Sequence, residues 1–396
     1  MLAFILSLVL HVSAGESINA ALDSARTVYA ERGEKTTILI EPGTYREEIT
    51  IDVPGLTMKN AARKPSIGLK NGGVDCDKNA VRITWYYGHG YQYRSMGDKI
   101  NYGGSRMRLW NASVLVTAPD FTAENIIFEN SFNLYVCELE AADSLVDISQ
   151  SDMPWTEKER PKKIMPVRPK DVGSTEVQKK AYRERAAAIS FDEKATNAHL
   201  KNCRAVGRQD VLYGAQGASI YWEGGILQGG VDFIFGAMTM SVNRTTIVAN
   251  INGEKGDKCY ISAGRSEGRG LLFYKCHIRL ATEDELVNRS VSPKDGLSGA
   301  AGLYSVSAAV YLARPWRSWG ETVWAYTTWE EGILNSEAWH TGLVKDKEGF
   351  NPDNPCPYSY EYKSQDGSAG RPKWVSVLRK PILPDGTKLT PREWLK

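Results

Sequence analysis

The strongest constraint on the fold is a recurrence of short strand-forming segments at intervals of about 20 residues. Leu200, Trp222 and Val242 take similar places in three such segments. Each segment joins a short apolar strand to a polar or Asn/Gly-containing turn and then to another short strand. A recurrence of this length predicts a solenoid whose coils stack on one another. We predict an all-β fold, a single-stranded right-handed parallel β-helix, because a β-sandwich would need antiparallel hairpins at shorter spacing.

The rest of the chain fits one such domain with additions. An amphipathic segment over residues 17–33 predicts a short N-terminal helix. Residues 131–182 and 281–307 are charged, proline-containing interruptions of the strand pattern. Long loops on a solenoid project from a coil, so these two insertions would wall a groove. The tail from Trp329 onward is irregular and is expected to pack along the outside. We assign residues 15–396 to the β-helix domain.

The first fourteen residues, MLAFILSLVLHVSA, allow two interpretations. They resemble the apolar region and small-residue cleavage site of a signal peptide, which would make the protein secreted, periplasmic or attached to the cell surface. No Lys or Arg precedes this apolar region, however, and VLHVSA would also serve as a buried first strand. The segment is too short to span a membrane.

Composition narrows the range of partners. The chain carries 11 Trp and 19 Tyr, whose flat apolar rings with a polar edge suit sugar rings. A net charge of +2 gives no indication of nucleic-acid binding. The six cysteines are scattered and fit no zinc spacing; buried free thiols are the ordinary interpretation, and disulfides remain an alternative.

Two aspartates repeat at the interval of the coils. Asp210 in GRQDVLYG and Asp232 in GGVDFIFG are separated by the same interval as Leu200 and Trp222. They should therefore lie above one another on adjacent strands, about 4.8 Å apart. Two carboxylates this close cannot both ionise easily, so one pKa should rise while the other stays low. One neutral acid beside one anion suits general acid–base and nucleophilic catalysis.

The segment YLARPWRSWG supplies a third element. Arg314 is placed to pair with Asp232 and keep it ionised, and Trp316 and Trp319 offer flat faces for a sugar. Each residue also has an ordinary structural explanation, because aspartates often form turns and an arginine before proline is usually on the surface.

Four motifs in this order resemble the signatures of pectin methylesterases, the enzymes of carbohydrate esterase family 8. They are GTYRE (residues 43–47), QDVLY (209–213), VDFIFG (231–236) and LARPW (312–316), and the C-terminal YSYEYKSQDGSAGRPKW resembles the closing segment of that family. The resemblance covers the chain from about residue 17 to its end, apart from the two insertions. It implies a right-handed parallel β-helix.

The resemblance also implies roles for individual residues. Asp232 would be the nucleophile that attacks the carbonyl of a methyl-esterified galacturonate and forms an acyl-enzyme. Asp210 would protonate the departing methanol and then act as base for the hydrolytic water. Gln209 would donate to the oxyanion, and Arg314 would hold Asp232.

Further residues are implied as substrate contacts. Trp316 would pack on the sugar ring, with Tyr213 and Phe233 as additional contacts. Methyl-esterified homogalacturonan, the main polymer of pectin, would be the partner. Neither a metal nor an organic cofactor is implied, no nucleic-acid or membrane partner is expected, and the protein would be a monomer.

One position departs from the family pattern. Where the family carries QAVAL, this chain reads RAAAI, which places Arg185 at the position of an oxyanion glutamine. Arg185 would stabilise the oxyanion, bind a substrate carboxylate, lower the pKa of Asp210, or turn aside. Glu47 of GTYRE is interpreted as structural or groove-lining.

Two other functions remain open on the sequence. A carboxylate pair about 5 Å apart would also suit a retaining glycosidase, and a polysaccharide lyase is a related alternative. A pectin-binding relative without activity is the second. Gln209 and Arg314 beside the aspartates favour ester hydrolysis over both.

Overall fold

A computed structural model describes residues 8–89, 91–97, 109–145, 166–252, 254, 256–287, 289–291, 304–341, 348–365 and 370–396. Within these ranges the chain winds through three long sheets, here called A, B and C, and every pair of neighbouring strands in them is parallel. Successive strands visit the three sheets in turn. The predicted right-handed parallel β-helix is confirmed.

The strands are numbered in chain order. Sheet A runs, in spatial order, through β1 (Leu8–Val12), β2 (Thr36–Ile40), β5 (Thr57–Asn60), β10 (Thr122–Glu124), β13 (Ala198–Lys201), β16 (Ser219–Glu223), β19 (Thr239–Asn243), β22 (Leu271–Tyr274), β27 (Thr322–Ala325), β29 (Ser359–Tyr362) and β30 (Ser376–Val377). Sheet B runs through β28 (Thr328–Trp329), β23 (His277–Leu280), β20 (Thr246–Ala249), β17 (Ile226–Gly229), β14 (Arg204–Val206), β11 (Ile126–Asn130), β8 (Val81–Trp85) and β3 (Gly43–Arg46). Sheet C runs through β26 (Val310–Ala313), β21 (Cys259–Gly264), β18 (Val231–Gly236), β15 (Leu212–Gly214), β12 (Ile189–Phe191), β9 (Val114–Val116) and β4 (Ile49–Ile51).

Shorter elements complete the described chain. Two small pairs join β6 (Leu69–Lys70) to β7 (Asp75–Cys76) and β24 (Ser290–Val291) to β25 (Tyr304–Ser305). The α-helices are α1 (Ile18–Arg32), α2 (Glu138–Ala142) and α3 (Pro391–Trp394). Single 3₁₀ turns span Asn71–Gly73, Arg94–Met96, Ser131–Asn133, Glu176–Gln178 and Lys180–Tyr182.

The interior is built from ladders of apolar side chains. Leu200 pairs with Trp222, and Trp222 pairs with Val242, as their spacing predicts. The same ladder continues through Phe273 and Trp324, whose rings stack with centroids 3.8 Å apart. All five side chains are fully buried. Stacking of like positions along the helix therefore forms one continuous core.

Helix α1 closes the N-terminal end of this core. Ser17 caps its first turn, and Gly33 ends it in the left-handed conformation with φ of 65°. The carboxylate of Glu47 accepts hydrogen bonds from the backbone N–H groups of Ile18 and Asn19, at 2.8 and 3.0 Å. Glu47 thus has the structural role that the sequence suggested, because an anion is stabilised at a helix N-terminus.

The N-terminal segment contributes β1, which pairs in parallel with β2. Residues 1–7 lie outside the described residues, so the assignment of residues 1–14 to a signal peptide or a first strand stays a prediction. No helix in the described part of the chain is long and apolar enough to cross a membrane. All six cysteines are free thiols, and all except Cys76 are buried.

The C-terminal tail packs on the outer face of sheet A. Leu383, Leu389 and Trp394 form a cluster there with Leu272 and Val323. The tail also extends sheet A itself, since β29 pairs with β27 and β30 pairs with β29. The expected outside course of the tail is confirmed for these residues.

Three long connections leave from the corner between sheets B and C. Residues 86–113 join β8 to β9, residues 131–188 join β11 to β12, and residues 281–309 join β23 to β26. The last two contain the predicted insertions, of which residues 146–165 and 292–303 lie outside the described residues. The first was not recognised from the sequence. Long segments thus gather around one corner of the helix.

Replacing a core tryptophan tests the ladder. We expect Trp222→Ala to lower the free energy of unfolding by about 3–5 kcal/mol, because it opens a cavity beneath two neighbouring coils. Urea unfolding followed by tryptophan fluorescence and circular dichroism measures this loss. Lys201→Ala is the control, since Lys201 is exposed in the same sheet. An equal loss in both variants would contradict the proposed core.

Candidate active site

The two aspartates lie at the corner between sheets B and C on consecutive coils. Gln209 forms a parallel bridge with Val231, and Leu212 pairs with Ile234. Asp210 and Asp232 therefore occupy matching positions, one coil apart, as their spacing in the sequence predicts. Neighbouring parallel strands are about 4.8 Å apart, which brings the two carboxylates close together.

Both aspartates have an unusual backbone conformation. Asp210 has φ of 57° and Asp232 has φ of 49°, in the left-handed region. Such a conformation costs a non-glycine residue of order 1–3 kcal/mol and is concentrated at functional sites. The pairing of β18 with β21 also shifts register between Val231 and Ile234. A β-bulge of this kind re-aims a side chain locally.

The bulge explains why one predicted contact is wrong. Phe233 belongs to the interior core and is only 1% exposed, so it does not line the groove as a substrate contact. Its ring lies against Gly229, where an added Cβ would come within 2.3 Å of the Phe233 Cβ. Gly229, the first glycine of GGVDFIFG, therefore leaves space for the Phe233 side chain in the core.

Arg314 binds the Asp232 carboxylate through two hydrogen bonds. Its Nε donates to Oδ1 at 3.0 Å and its Nη2 donates to Oδ2 at 2.5 Å. The backbone N–H of Arg314 donates to Ser262, whose strand position pairs with Ile234. Arg314 thus reaches across from two coils further along. A bidentate pair of this kind is among the strong charge-assisted interactions, and it agrees with the predicted pairing.

Burial and charge set the protonation of the two aspartates. Asp210 is 3% exposed, and burial together with the nearby Asp232 carboxylate raises its pKa well above its ordinary value. Asp232 is 6% exposed; burial raises its pKa too, while Arg314 opposes that rise. The expectation of a low pKa for Asp232 is therefore wrong, because burial exceeds the effect of one arginine. Asp210 nevertheless has the stronger shift, so it is the group that holds a proton.

Arg185 lies one coil before Gln209 on the same corner. The two form a parallel bridge. The guanidinium of Arg185 lies 5.2 Å from the ring of Trp110, and its Nε donates to Glu184 at 3.2 Å. It contributes a lowering effect on the pKa of Asp210. The charge of Arg185 therefore acts on Asp210.

A buried histidine lies beside Arg185. The backbone N–H of His89 donates to the Arg185 carbonyl at 2.7 Å, and its ring is 5.5 Å from that of Trp110. Burial and then the charge of Arg185 lower the pKa of His89 to about 3. His89 is therefore a neutral neighbour near pH 7.

An aromatic wall stands along sheet C beside the aspartates. Tyr213 and Phe235 have ring centroids 5.0 Å apart, and Trp110 contacts both at 6.0 and 5.5 Å. The Tyr213 hydroxyl accepts a hydrogen bond from Arg265 at 3.2 Å. Phe235 was missed in the sequence, although it follows Tyr213 at the same interval that separates the aspartates. Trp110 lies in the unrecognised connection.

The two tryptophans after Arg314 have different surroundings. Trp316 is half-buried, and its backbone N–H donates to Gly264 at 3.0 Å, directly beyond the end of sheet C. Trp319 instead lines a separate cavity together with Arg269 and Glu321. The prediction that Trp319 contacts substrate beside Trp316 is not supported, because the turn between them carries the chain toward sheet A.

A second aromatic cluster, also missed, lies on the other side of Asp232. The ring of Tyr260 stacks on that of Tyr311, with centroids 5.1 Å apart. His340 contacts both rings edge-on at 5.4 and 5.5 Å. Tyr260 and Tyr311 are direct strand partners, but the second insertion lies between them in the chain, so no constant period could reveal the pair.

Metal ligation has no candidate in the described ranges. No group of three or more His, Cys, Asp or Glu side chains there is arranged to hold a metal ion.

Comparisons with known proteins agree with the motifs. The family model described as Pectinesterase matches residues 170–343. Pectinesterase 4 from Arabidopsis thaliana is 30% identical over 218 residues, covering 53% of this chain and 32% of that protein. Probable pectinesterase/pectinesterase inhibitor 58 from the same plant is 23% identical over 390 residues, covering 94% and 54%. The chain thus spans from just under a third to just over half of the length of these curated relatives.

A solved structure resembles the whole fold. A pectin methylesterase in complex with a hexasaccharide superposes with a TM-score of 0.60 at 20% identity, over 97% of this chain and 96% of that one. At this identity the likeness concerns the fold alone. The family match contains three of the four motifs, QDVLY, VDFIFG and LARPW, and confirms the resemblance to pectinesterases that they indicate. GTYRE lies outside the matched residues.

Replacing the Asp210 carboxyl group with an amide should stabilise the protein at neutral pH. With its pKa raised on folding, Asp210 favours the native state fully below its ordinary pKa of 3.8 and loses that contribution as pH rises. We expect Asp210→Asn to raise the free energy of unfolding at pH 7, because folding then no longer buries a carboxyl group whose pKa it must raise. Near pH 3 the gain should vanish.

Urea unfolding of variant and wild type at both pH values measures this difference. Asp120→Asn is the matched control, because Asp120 has φ of 60° but lies at another corner. Equal stability of Asp210→Asn and wild type at pH 7 would contradict the raised pKa.

Proposed function

We propose that this chain is a pectin methylesterase, which hydrolyses methyl esters of galacturonate units in homogalacturonan to methanol and demethylated pectin. One observation carries the proposal: the two stacked, buried aspartates have different surroundings. Arg314 holds both oxygens of Asp232, whereas Asp210 has the more strongly raised pKa. An anion held in place beside a neutral acid is the combination that ester cleavage through a covalent intermediate needs.

The first half of the reaction forms an acyl-enzyme. A carboxylate oxygen of Asp232 attacks the ester carbonyl carbon, and the carbonyl electrons move to oxygen. As the tetrahedral intermediate collapses, the bond to the methoxy oxygen breaks. Asp210 gives its proton to that oxygen, so methanol leaves and Asp210 becomes a carboxylate. The substrate carbonyl is then joined to Asp232 as an anhydride.

The second half regenerates the enzyme. Asp210, now the base, accepts a proton from a water molecule whose oxygen attacks the acyl carbon. Collapse of this second intermediate breaks the bond to Asp232 and restores its carboxylate beside Arg314. The product carboxylic acid and protonated Asp210 complete the cycle. The same residue, Asp210, therefore serves as acid in the first half and as base in the second.

Gln209 and Arg185 are the proposed oxyanion groups. Gln209 precedes Asp210 directly, and Arg185 lies one coil away. A single preorganised donor to the oxyanion contributes roughly 3 kcal/mol to transition-state stabilisation. Arg185 brings a full charge where the related motif has an amide, so it serves a developing anion or a free carboxylate of the substrate.

The aromatic residues around the corner are the proposed sugar contacts. Tyr213 and Trp110 form one wall, with the buried ring of Phe235 packed against both, and Trp316 stands beyond Arg314. Flat rings suit the apolar faces of galacturonate units. The similar solved pectin methylesterase is in complex with a hexasaccharide, which supports an oligosaccharide groove here.

The remaining assignments follow from the substrate. Because pectin is a wall polysaccharide, we propose that the protein acts outside the cytoplasm, secreted, periplasmic or at the cell surface. The monomeric state stays a prediction. A retaining glycosidase is the second candidate, since its two carboxyl groups are about 5–5.5 Å apart. The bidentate Arg314 contact and the pectinesterase family match favour ester hydrolysis.

Methanol release tests the proposal directly. Wild type should release methanol from highly methylated pectin without new reducing ends or unsaturated products. We expect Asp232→Asn and Asp210→Asn each to lower kcat at least about a thousandfold, because each removes a group that takes part in bond breaking. Asp120→Asn, outside the site, should retain wild-type activity. Full activity in either active-site variant would overturn the mechanism.

The role of Arg185 has its own test. Since Arg185 lowers the pKa of Asp210, Arg185→Gln should raise that pKa and move the alkaline limb of the kcat profile to higher pH. We expect kcat to change by less than about tenfold, because glutamine still donates to an oxyanion. Arg63→Gln, an exposed position, is the control. Unchanged turnover together with an unchanged pH profile would exclude a catalytic part for Arg185.

A further inference from the structure

We propose that Tyr260 is a positioning residue whose ring supports the Arg314 guanidinium and so keeps it on the Asp232 carboxylate. The kinetic part of this inference rests on the proposed esterase function. Tyr260 takes no direct part in the reaction, because it acts through Arg314.

The coil that carries Tyr260 lies between the two partners of the ion pair. Val231, next to Asp232, pairs with Tyr260, and Tyr260 pairs with Tyr311 on the strand that leads into Arg314. Arg314 must therefore extend over the Tyr260 coil to reach Asp232. Two coil spacings amount to about 9.6 Å, so a long side chain crossing them depends on what lies beneath it.

The ring of Tyr260 contacts the guanidinium without competing for its hydrogen bonds. The Arg314 Cζ lies 3.9 Å from the ring centroid, close enough for a cation–π contact. The Nε and Nη2 groups point at Asp232 in the guanidinium plane. The tyrosine takes the face and the carboxylate takes the edge, so both contacts hold the same orientation.

Tyr260 is itself held from the remaining sides. Tyr311 stacks on it with an interplanar angle of 23°, and His340 meets its ring edge at 67°. Its backbone N–H donates to Gly230 at 2.8 Å, beside the bulge that carries Asp232. Lys258 donates to the Tyr311 hydroxyl at 3.2 Å, which anchors the next ring. With Arg314 and Tyr311 against it, the ring is not a free platform for a sugar.

Loss of this ring should be measurable at Asp232. The groups that face Asp232 are Asp210 from the preceding coil, Tyr260 and Cys259 from the following coil, and Arg314. Of these, Arg314 is the one that lowers the Asp232 pKa. If the guanidinium moves away, the Asp232 pKa rises further, and the ionised nucleophile forms only at higher pH.

The experiment compares Tyr260→Leu with Tyr260→Phe. We expect Tyr260→Leu to lower kcat about tenfold with KM within twofold of wild type, and to move the acid limb of the pH profile upward. Phenylalanine keeps the ring and should restore kcat to within about twofold. In an Arg314→Gln background, Tyr260→Leu should have little further effect, since the residue through which it acts is gone.

A matched control separates positioning from general loss of an aromatic contact. Tyr221 stacks on His199 with centroids 4.8 Å apart, but it lies in sheet A. Tyr221→Leu should leave kcat, KM and the pH profile unchanged. Melting temperatures of all variants report on folding, and Tyr260→Met replaces the leucine variant if that one does not fold.

A measurement without substrate distinguishes failure of this inference from failure of the proposed function. The carboxyl ¹³C resonance of Asp232, assigned by its loss in Asp232→Asn, is titrated in wild type and Tyr260→Leu. A raised pKa in the variant supports positioning even if wild type releases no methanol. An unchanged Asp232 titration overturns the inference, as does a KM increase at constant kcat, which would make Tyr260 a substrate contact.

Discussion

In-register stacking of parallel coils is the constraint on which both the core and the site depend. Each coil hydrogen-bonds to the next at matched positions, so a residue type repeated at the coil interval becomes a column. Inside the helix the column is apolar, as with Leu200, Trp222 and Val242. At the corner between sheets B and C it consists of Asp210 and Asp232. The geometry that stabilises the first column forces two acids together in the second.

The acidic column is tolerable only because its members differ in their surroundings. Arg314 binds the carboxylate of Asp232 from two coils away, while Asp210 is buried with its pKa raised. Both residues also have left-handed backbones, which other structure must hold in place. Two buried carboxyl groups and two left-handed backbones are energetically unfavourable, and the regular coils around the site offset that cost. Chemistry and folding compete at these positions.

Much of this arrangement could be predicted from the sequence, because a solenoid turns linear spacing into contact. The β-helix, the core ladder and the stacked aspartates all follow from one nearly constant interval of about 20 residues. The same interval separates Tyr213 from Phe235, so the contact between these two rings also follows from the spacing. Prediction works wherever consecutive coils have equal length.

Prediction fails where that regularity is broken. The second insertion hides the partnership of Tyr260 with Tyr311, and the bulge at Asp232 puts Phe233 in the core rather than in the groove. Trp319 follows Trp316 closely in the chain, yet the intervening turn leads it to a different cavity. The pKa of Asp232 depends on burial, which spacing does not reveal.

The corner between sheets B and C has a consequence for how such a chain can vary. Three long connections leave from it, and each returns to the strand position that the neighbouring coils require. Length added there changes no hydrogen bond of the sheets, because the register is set on either side of the excursion. The three connections can therefore change in length and sequence while Asp210 and Asp232 keep their positions. The surroundings of the aspartate pair and the pair itself are thus carried by separate parts of one coil.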